Sequence, residues 1–165
     1  MDTEVRISSF PPVVSESSQI LVLGSVPGVK SLEMQEYYAH PQNAFWKIMF
    51  QIFDEEFTSD YNEKLKILHK NGVALWDVID SCERKGSLDS EIKNEEANRI
   101  EDLLKSFPNI KAIFCNGRKS FKNLEKILGK NPPVPVHLLP STSPLHTISL
   151  EKKVEQWKII KQLLT

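Results

Sequence analysis

The sequence QILVLGSVPG at residues 19–28 decides the fold. It begins with a short apolar run that ends at Gly24, and such a run is typical of a strand buried on both faces, as strands of parallel sheets are. Pro27 and Gly28 then predict a loop at the carboxyl end of this strand. The stretch therefore predicts an α/β fold if further buried strands alternate with helices along the chain.

Outward from this strand, the spacing of apolar residues alternates between strand and helix patterns. Further strands are predicted at residues 73–79, 110–115 and 136–139, and helices at residues 42–53, 61–70, 94–107, 117–128 and 149–164. Near-continuous apolar strands that alternate with helices of about 10 to 15 residues are typical of a parallel sheet with helices on both faces. The expected fold class is three-layer α/β/α, with a central, mostly parallel four-stranded sheet.

Size and charge narrow the possible functions. The chain has 165 residues, of which 40% are hydrophobic and 26% charged, and this suits one domain over residues 1–165. Residues 1–17 are expected to be a loosely ordered N-terminal segment. The 21 Lys and Arg residues nearly balance the 22 Asp and Glu residues, giving a net charge of −1. Bulk charge therefore cannot hold the protein on a polyanion, and any contact with nucleic acid must be local.

The cysteines and the hydropathy exclude further classes. Cys82 and Cys115 lie in separate segments without a CxxC or clustered histidines, so no metal, cofactor or disulfide is expected. Both are expected to be buried thiols in a reducing compartment. No apolar run approaches the roughly 18 residues that span a bilayer, and residues 1–12 lack the features of a signal peptide. The expectation is a cytoplasmic protein without membrane contact.

The loop after the first strand consists of Gly24, Ser25, Val26, Pro27 and Gly28. Ligands of open parallel sheets bind beyond the carboxyl ends of the strands, so this loop is a candidate binding site. Its backbone N–H groups can approach a polar ligand closely where glycine leaves them unobstructed. It matches neither the P-loop nor the dinucleotide-binding glycine pattern. An ordinary turn is the alternative.

A second candidate is YYAHPQNAFW at residues 37–46, which combines aromatic rings, an imidazole and a carboxamide near a helix start. The ring of Tyr38 offers a stacking face, and Asn43 can hold a water while donating to a substrate, so the segment suits a planar heterocycle. The alternative is that the tyrosines only pack and that Asn43 caps the helix. Phe45 and Trp46 are assigned to the core.

The third candidate follows the last strand and consists of Ser141, Thr142, Ser143, Pro144, Leu145 and His146. Three hydroxyls before a helix start can hold phosphate oxygens. An apolar side chain on a stiff loop is the usual wedge of proteins that extrude a base from a duplex, which suggests that role for Leu145. The alternative is a helix-capping loop with Leu145 turned inward.

Four other residues have simpler interpretations. Asp77 follows a strand and could be a general base, although a carboxylate there more often binds neighbouring backbone. Asn116 begins a turn and could also line a pocket. Lys152 and Lys153 are expected to be ordinary surface charges.

Two of these segments together resemble the uracil-DNA glycosylase superfamily. HPQNAFWKIM at residues 40–49 is similar to the HPxNxFW block of its mismatch-specific branch, and LPSTSPLHTISLEK at residues 139–152 is similar to that branch's second motif. The hypoxanthine (deoxyinosine) branch is also similar in the GS-x-P opening, YYxHPQNxFW, LWDV at residues 75–78 and GSLDS at residues 86–90. The resemblance covers most of the chain and implies that superfamily's fold.

The resemblance implies roles for individual residues. Mismatch-specific relatives have a water-positioning Asn where this chain has Val26. In the hypoxanthine branch the Asn of HPQN takes over that role, which implies Asn43 here. Tyr38 stands where the family stacks a ring on the extruded base, with Ser25 and the neighbouring backbone at the edge of that base. Leu145 matches the intercalating position.

Two residues distinguish this chain further. Ser141 stands where the uracil enzymes have Asn or His, which argues against strong uracil activity. His40 is the ionisable group of its motif suited to protonating a purine at N7 near neutral pH, or else it fixes the loop through backbone hydrogen bonds. No lysine is evidently poised at these motifs to form a Schiff base, so strand nicking is not expected.

The implied function is that of a monofunctional DNA glycosylase, which flips a deaminated base, first of all hypoxanthine, and hydrolyses its N-glycosidic bond to leave an abasic site. The implied partner is DNA containing deaminated bases, bound by a monomer that is nucleoid-associated while it acts. Alternatives of the same fold are a uracil- or mismatch-directed glycosylase and an inactive module that binds damaged DNA. A Ser-His-Asp hydrolase built from Ser143, His146 and Asp77 is a further alternative, although a G-x-S-x-G elbow is missing.

Overall fold

A computed structural model describes residues 6–164 of the chain. Its strands are β1 (Arg6–Ser8), β2 (Ile20–Gly24), β3 (Val73–Asp77), β4 (Ile79–Glu83), β5 (Lys93–Ala97), β6 (Ala112–Asn116) and β7 (Val136–Leu139). Its helices are α1 (Val29–Met34), α2 (Phe45–Ile52), α3 (Tyr61–Lys70), α4 (Ile100–Ser106), α5 (Arg118–Leu128), α6 (Leu150–Trp157) and α7 (Ile159–Gln162).

The central sheet has four parallel strands in the order β3-β2-β6-β7. β2 lies inside the sheet, where it pairs with β3 from Ile20 opposite Val73 to Gly24 opposite Asp77. Every residue of β2 is buried, as its apolar run predicts. The predicted parallel four-stranded sheet is confirmed, and it brings the carboxyl ends of all four strands to one edge.

Helices cover both faces of this sheet and make the three layers. Ile20 and Val22 point to one face, where they belong to a core cluster with Phe45 of α2 and Trp157 of α6. Leu21 and Leu23 point to the other face, into a cluster that includes residues of α4 and α5. Because successive strand side chains alternate between faces, one apolar run supplies both cores.

A second, antiparallel sheet in the order β1-β4-β5 was not predicted. Two expectations are corrected by it. The strand expected at 73–79 ends in the central sheet at Asp77, and Ile79 begins β4. Residues 94–97, expected to begin the helix at 94–107, belong instead to β5, which pairs with β4 from Ile79 opposite Ala97 to Glu83 opposite Lys93. Backbone pairing with β4 outweighs the helical tendency of this polar, exposed stretch, and α4 begins only at Ile100.

The N-terminal segment is also more ordered than expected over the part that the structure describes. Ile7 pairs with Cys82 in the second sheet, and Val13 exchanges two backbone hydrogen bonds of 2.9 Å with Leu75. The Trp76 indole donates to the carbonyl of Phe10 at 3.1 Å. Residues 6–14 are therefore fixed against β3 and β4, whereas residues 1–5 lie outside the described residues.

The remaining helix predictions differ mainly at their ends. α3 and β7 have the predicted bounds, α2 begins at Phe45 rather than at 42, and the last predicted helix is interrupted at Lys158. Cys82 and Cys115 are buried free thiols. Among residues 6–164, no helix has the length and apolar character that crossing a bilayer demands.

Candidate functional site

A cleft of about 840 Å³ opens at the carboxyl edge of the central sheet. Every predicted site residue lines it, from the Gly24–Gly28 loop, from the segment with Tyr38, His40 and Asn43, and from the loop of residues 141–146. Tyr38 and Leu145, which come from segments far apart in sequence, therefore face one cavity. A fourth segment, residues 87–90, also lines the cleft; the sequence placed it in the family resemblance through GSLDS, with Asp89 as a minor candidate, but not in a predicted binding site.

Gly24 forms part of the cleft where no side chain fits. An alanine Cβ at this position would lie 2.6 Å from Oδ1 of Asp77 and 3.1 Å from the hydroxyl oxygen of Tyr38. Real Cβ atoms do not approach an oxygen to 2.6 Å, so glycine is required here by the close approach of these two side chains. A glycine at position 24 thus leaves the backbone in contact with a carboxyl and a phenol.

The next two loop residues have fixed partners. Ser25 donates its hydroxyl hydrogen to Oδ1 of Asp89 at 2.8 Å, so that hydrogen is not available to a ligand in this arrangement. Val26, which stands where the related family motif has Asn, is 9% exposed and belongs to the core cluster beneath the loop. Backbone groups are therefore what the loop can offer a ligand, as the sequence suggested for its glycines.

Residues 84–90 hold this loop from the side. The buried guanidinium of Arg84 donates to the carbonyls of Gly86 and Pro27, each at 2.7 Å. The hydroxyl of Ser87 accepts the backbone N–H of Val29 at 2.9 Å. This segment contains the GSLDS stretch, so the sequence signal existed, but without a periodic pattern it could not be placed at the cleft.

Tyr38 combines a packed ring with a buried hydroxyl. Its ring centroid lies 4.2 Å from that of Phe45 at an interplanar angle of 32°, so Phe45 supports one face of the ring. Its backbone has a φ of 55°, which is uncommon for a non-glycine residue. Burial raises the pKa of the Tyr38 phenol, and nearby Asp77 raises it further, while the Asn116 carboxamide opposes them. The phenol is therefore a neutral donor at physiological pH.

Tyr37 and Trp46 support the Tyr38 segment from the core. Tyr37 is buried and donates its hydroxyl hydrogen to the carbonyl of Pro11 at 2.9 Å. The Trp46 indole donates to the carbonyl of Tyr37 at 2.9 Å. Packing is thus the role of Tyr37, and Phe45 and Trp46 lie in the core as predicted.

Asn43 and His40 are both used by the local backbone. Oδ1 of Asn43 accepts the N–H of Phe45 at 3.0 Å, a local turn bond just before α2, whose N-cap is Ala44. Nδ1 of His40 accepts the N–H of Gln42 at 3.1 Å, which is the structural role considered for this imidazole. These bonds leave Nδ2 of Asn43 and Nε2 of His40 as hydrogen-bond donors at the cleft. Local backbone bonds therefore hold both groups in place without using all of their hydrogen-bonding capacity.

The loop of residues 141–146 is braced by its own hydroxyls. Oγ of Ser141 accepts the N–H of Ser143 at 3.1 Å, and Oγ of Ser143 accepts the N–H of Leu145 at 3.2 Å. Thr142 is 1% exposed and pairs twice with Asn116, which donates to its hydroxyl and accepts its N–H. The Thr142 side chain is buried, so its hydroxyl is less exposed than expected, and the role of this loop in holding phosphates stays a prediction. Leu145 is 67% exposed rather than turned inward.

Lys153 corrects another expectation. It is 4% exposed, and its Nζ donates to the carbonyl of Ser143 at 3.0 Å from helix α6. Burial lowers the pKa of this amine. The residue is therefore a support of the loop and not an ordinary surface charge.

Asp77 is the most perturbed acid at the cleft. It is 4% exposed, and burial raises its pKa to about 7, with the carboxylate of Asp89 raising it and the guanidinium of Arg84 lowering it. Because burial penalises the charged form, Asp77 is partly protonated at neutral pH. The sequence marked it only as a residue at a strand exit.

Residues 6–164 contain no group of three or more His, Cys, Asp or Glu side chains placed to hold a metal ion. The cleft offers hydroxyl, carboxamide, imidazole and backbone groups, with the charged residues Lys30 and Asp89 also in its lining and the exposed Leu145 at its rim. Such a site suits a planar polar ring, a water molecule and a nucleic-acid backbone.

Comparison with known proteins extends this description. The chain matches the model of the uracil DNA glycosylase superfamily over residues 11–164. Hypoxanthine DNA glycosylase of Methanosarcina barkeri is 36% identical over 156 residues, covering 93% of this chain and 96% of that protein. The protein of the same name from Methanosarcina acetivorans is 34% identical, covering 92% of this chain and 95% of that one.

The fold has a solved counterpart as well. A solution NMR structure from Methanosarcina acetivorans, provisionally described as a uracil DNA glycosylase, matches with a TM-score of 0.82. The two chains are 32% identical, and the match covers 96% of this chain and 99% of that chain.

Proposed function

Because the chain belongs to the uracil DNA glycosylase superfamily, it is a DNA glycosylase, and we propose that the base it removes is hypoxanthine. The substrate class is DNA, and the reaction is hydrolysis of an N-glycosidic bond to leave an abasic site. The full-length relatives carrying the name hypoxanthine DNA glycosylase support the choice of base. Family membership sets aside the Ser-His-Asp hydrolase among the alternatives.

The observation that carries the proposal is the meeting of Tyr38, Asn43 and Leu145 at one cleft. An exposed leucine on a braced loop can fill the gap in a duplex from which a base has left. The aromatic ring and the backbone of the Gly24–Gly28 loop then face a base that enters the cleft. A side-chain carboxamide near the entrance can hold the water that attacks the sugar.

The choice of Asn43 as water-positioning residue rests on its neighbours. Two Asn carboxamides line the cleft, and that of Asn116 is bonded at both ends to Thr142. Val26 stands where the family usually has its catalytic Asn. Its side chain is apolar and packed in the core, so it cannot hold a water. Asn43 retains its NH₂ group and one lone pair of Oδ1 beside its bond to Phe45.

In the hydrolysis step, water replaces the base at C1′ of the deoxyribose. The water oxygen forms a bond to C1′ of the deoxyribose while the C1′–N9 bond breaks, and its electron pair stays with the base. One water hydrogen remains on the new C1′ hydroxyl, and the other ends on the base. Asn43 contributes by orienting the water, since holding a reactant in the attack geometry removes much of the entropic barrier.

The test is base release from duplexes that contain a single inosine, uracil or xanthine, followed by alkaline cleavage of abasic sites. Inosine is expected to react fastest, and product from uracil alone would replace hypoxanthine by uracil in the proposal. Absence of product from every duplex, with duplex binding intact, would leave a module that binds damaged DNA.

Asn43 is tested in the same single-turnover assay. Asn43→Ala is expected to lower the rate by about a hundredfold or more, the scale on which loss of one well-placed hydrogen-bonding group acts. Asn43→Asp keeps an oxygen that can accept the N–H of Phe45 and removes the NH₂ group, so it separates catalysis from the local turn bond. Gln42→Ala, in the same exposed turn, is the control and should retain activity. An unchanged rate in Asn43→Ala excludes the assigned role.

The wild-type protein is further proposed to act as a monomer in the cytoplasm, associated with the nucleoid while it acts on DNA. Gel filtration with light scattering, with and without an inosine duplex, measures the oligomeric state of the active species. A dimer in the complex would contradict the monomer.

A further inference from the structure

The carboxyl group of Asp77 is buried at the cleft without a partner for one of its oxygens. Asp77 ends β3 opposite Gly24, and its carbonyl accepts the amide of Asn98 at 2.8 Å, so the backbone is held on both sides. Among residues 6–164, its Oδ2, which is shielded from solvent, has no hydrogen-bond partner. An unpartnered polar atom in a 4% exposed side chain costs stability, and such a cost at a ligand site points to a bond made with the ligand.

The surroundings of this carboxyl favour its neutral form. Two charged groups act on Asp77: the carboxylate of Asp89 disfavours its ionised form, and the guanidinium of Arg84 favours that form. The guanidinium of Arg84 is bonded to two backbone carbonyls. The phenols of Tyr37 and Tyr38 lie close enough to sense Asp77 and stay neutral themselves. The cleft's two imidazoles, His40 and His146, belong to exposed residues.

Burial and Asp89 together outweigh Arg84, because the pKa of Asp77 rises to about 7. A neutral carboxyl has an O–H donor, which a carboxylate lacks. The carboxyl lies close to the backbone of Gly24 and to the hydroxyl of Tyr38, and all three residues line the cleft. A base that enters the cleft can therefore meet this donor.

We propose that Asp77 is a catalytic residue that donates a hydrogen bond from its neutral carboxyl to the departing base. The inference rests on the proposed function, since it needs a purine in the cleft. As the C1′–N9 bond breaks, the electron pair stays with the base, and a donor at one of the base's ring nitrogens or its carbonyl oxygen stabilises that charge. Water supplies the hydroxyl to C1′ and its second hydrogen to the base, so Asp77 ends the reaction protonated as it began.

The proposal predicts a specific pH dependence. The wild-type rate of hypoxanthine release under single-turnover conditions should fall above pH 7, by about tenfold per pH unit once Asp77 is ionised. Asp77→Asn carries an NH₂ donor at every pH, so its rate should not show this fall. Asp77→Ala should be about a hundredfold slower than the wild type below pH 7, because the donor is missing.

Imidazole controls identify the titrating group. His40→Gln and His146→Gln should each keep the fall above pH 7, and its loss in either variant would assign the titration to that histidine and overturn the role of Asp77. Circular dichroism and binding to a duplex with a stable abasic-site analogue verify that the variants are folded and bind DNA. Asp77→Ala removes an unpartnered buried carboxyl, so folding is expected to be retained.

Two outcomes distinguish a failure of the proposed function from a failure of the role of Asp77. If the wild-type chain releases no base from inosine, uracil or xanthine duplexes, the proposed function is wrong and the role of Asp77 falls with it. If the wild type is active, and Asp77→Asn and Asp77→Ala both have its rate and its pH profile, only the role of Asp77 is refuted.

Discussion

Replacing Gly24 with alanine would place a methyl group where the cleft has no space for one. The new Cβ would lie 2.6 Å from Oδ1 of Asp77, about 0.4 Å inside the closest approach of ordinary Cβ contacts, and 3.1 Å from the Tyr38 hydroxyl. The Asp77 side chain is buried and the Tyr38 ring packs against Phe45, so relieving the contact requires one of these buried side chains to shift. Overpacking of this kind costs about 1–3 kcal/mol.

Part of that cost is offset, because alanine has less conformational entropy to lose on folding than glycine, an advantage of about 0.4–1 kcal/mol. The net loss of about 0–2.6 kcal/mol corresponds to a fall in Tm of up to roughly 10 °C for a chain of this size. Base release should fall much more than stability, since the methyl group and the displaced carboxyl occupy the space of the base.

Gly28→Ala is the matched control in the same loop. Its Cβ would lie 3.5 Å from Oγ of Ser87, an ordinary contact, and the φ of Gly28 is −73°, which suits alanine. Its stability is expected within about 0.5 kcal/mol of the wild type. Thermal unfolding followed by circular dichroism and single-turnover base release measure both effects. A Gly24→Ala variant as stable and active as Gly28→Ala would refute the tight contact at the cleft.

Two further predictions concern the rim and its support. Leu145→Ala should slow base release from duplex DNA by about tenfold, because a few kcal/mol of unstacking are no longer compensated. The rate on single-stranded substrate and the Tm should be unaffected. Leu138→Ala changes another exposed leucine, on β7, and is the control; equal effects of the two variants would exclude a wedge. Arg84→Ala should lower stability by about 1.5–3 kcal/mol in urea unfolding, since the carbonyls of Gly86 and Pro27 lose their charged donor; a loss below about 0.5 kcal/mol would show that the 84–90 segment is held by other contacts.

The central sheet could be predicted because its strands are apolar on both faces. Ile20–Gly24 and Ala112–Asn116 are short apolar runs that end at a glycine or a polar residue, and this pattern is typical of buried strands. The second sheet could not be predicted in this way. Lys93–Ala97 is exposed along its whole length, so it has no apolar pattern that predicts a strand. It is a strand because its backbone pairs with Ile79–Glu83.

In the candidate site, too, the local segments could be predicted from the sequence and the contacts between them could not. Sequence motifs identified the three segments that meet at the cleft, since each stands at a strand exit or a helix start. The side-chain roles depend on contacts across the chain, which local pattern does not contain. Thr142 is buried because Asn116 reaches it from another strand, and Lys153 is buried because its amine finds the carbonyl of Ser143. The role proposed for Asp77 depends on the burial of its side chain, and its position at the end of a strand does not by itself predict that burial.

One short backbone hydrogen bond connects two tasks that are usually considered separately. The N–H of Ala44 donates to the carbonyl of Thr142 at 2.9 Å. Ala44 follows Asn43, and Thr142 precedes Leu145 by three residues in a loop that Lys153 also anchors. Under the roles proposed for Leu145 and Asn43, the loop that enters the duplex and the residue that orients the water are therefore linked through the backbone. A displacement of the Leu145 loop by DNA would then be transmitted to Asn43.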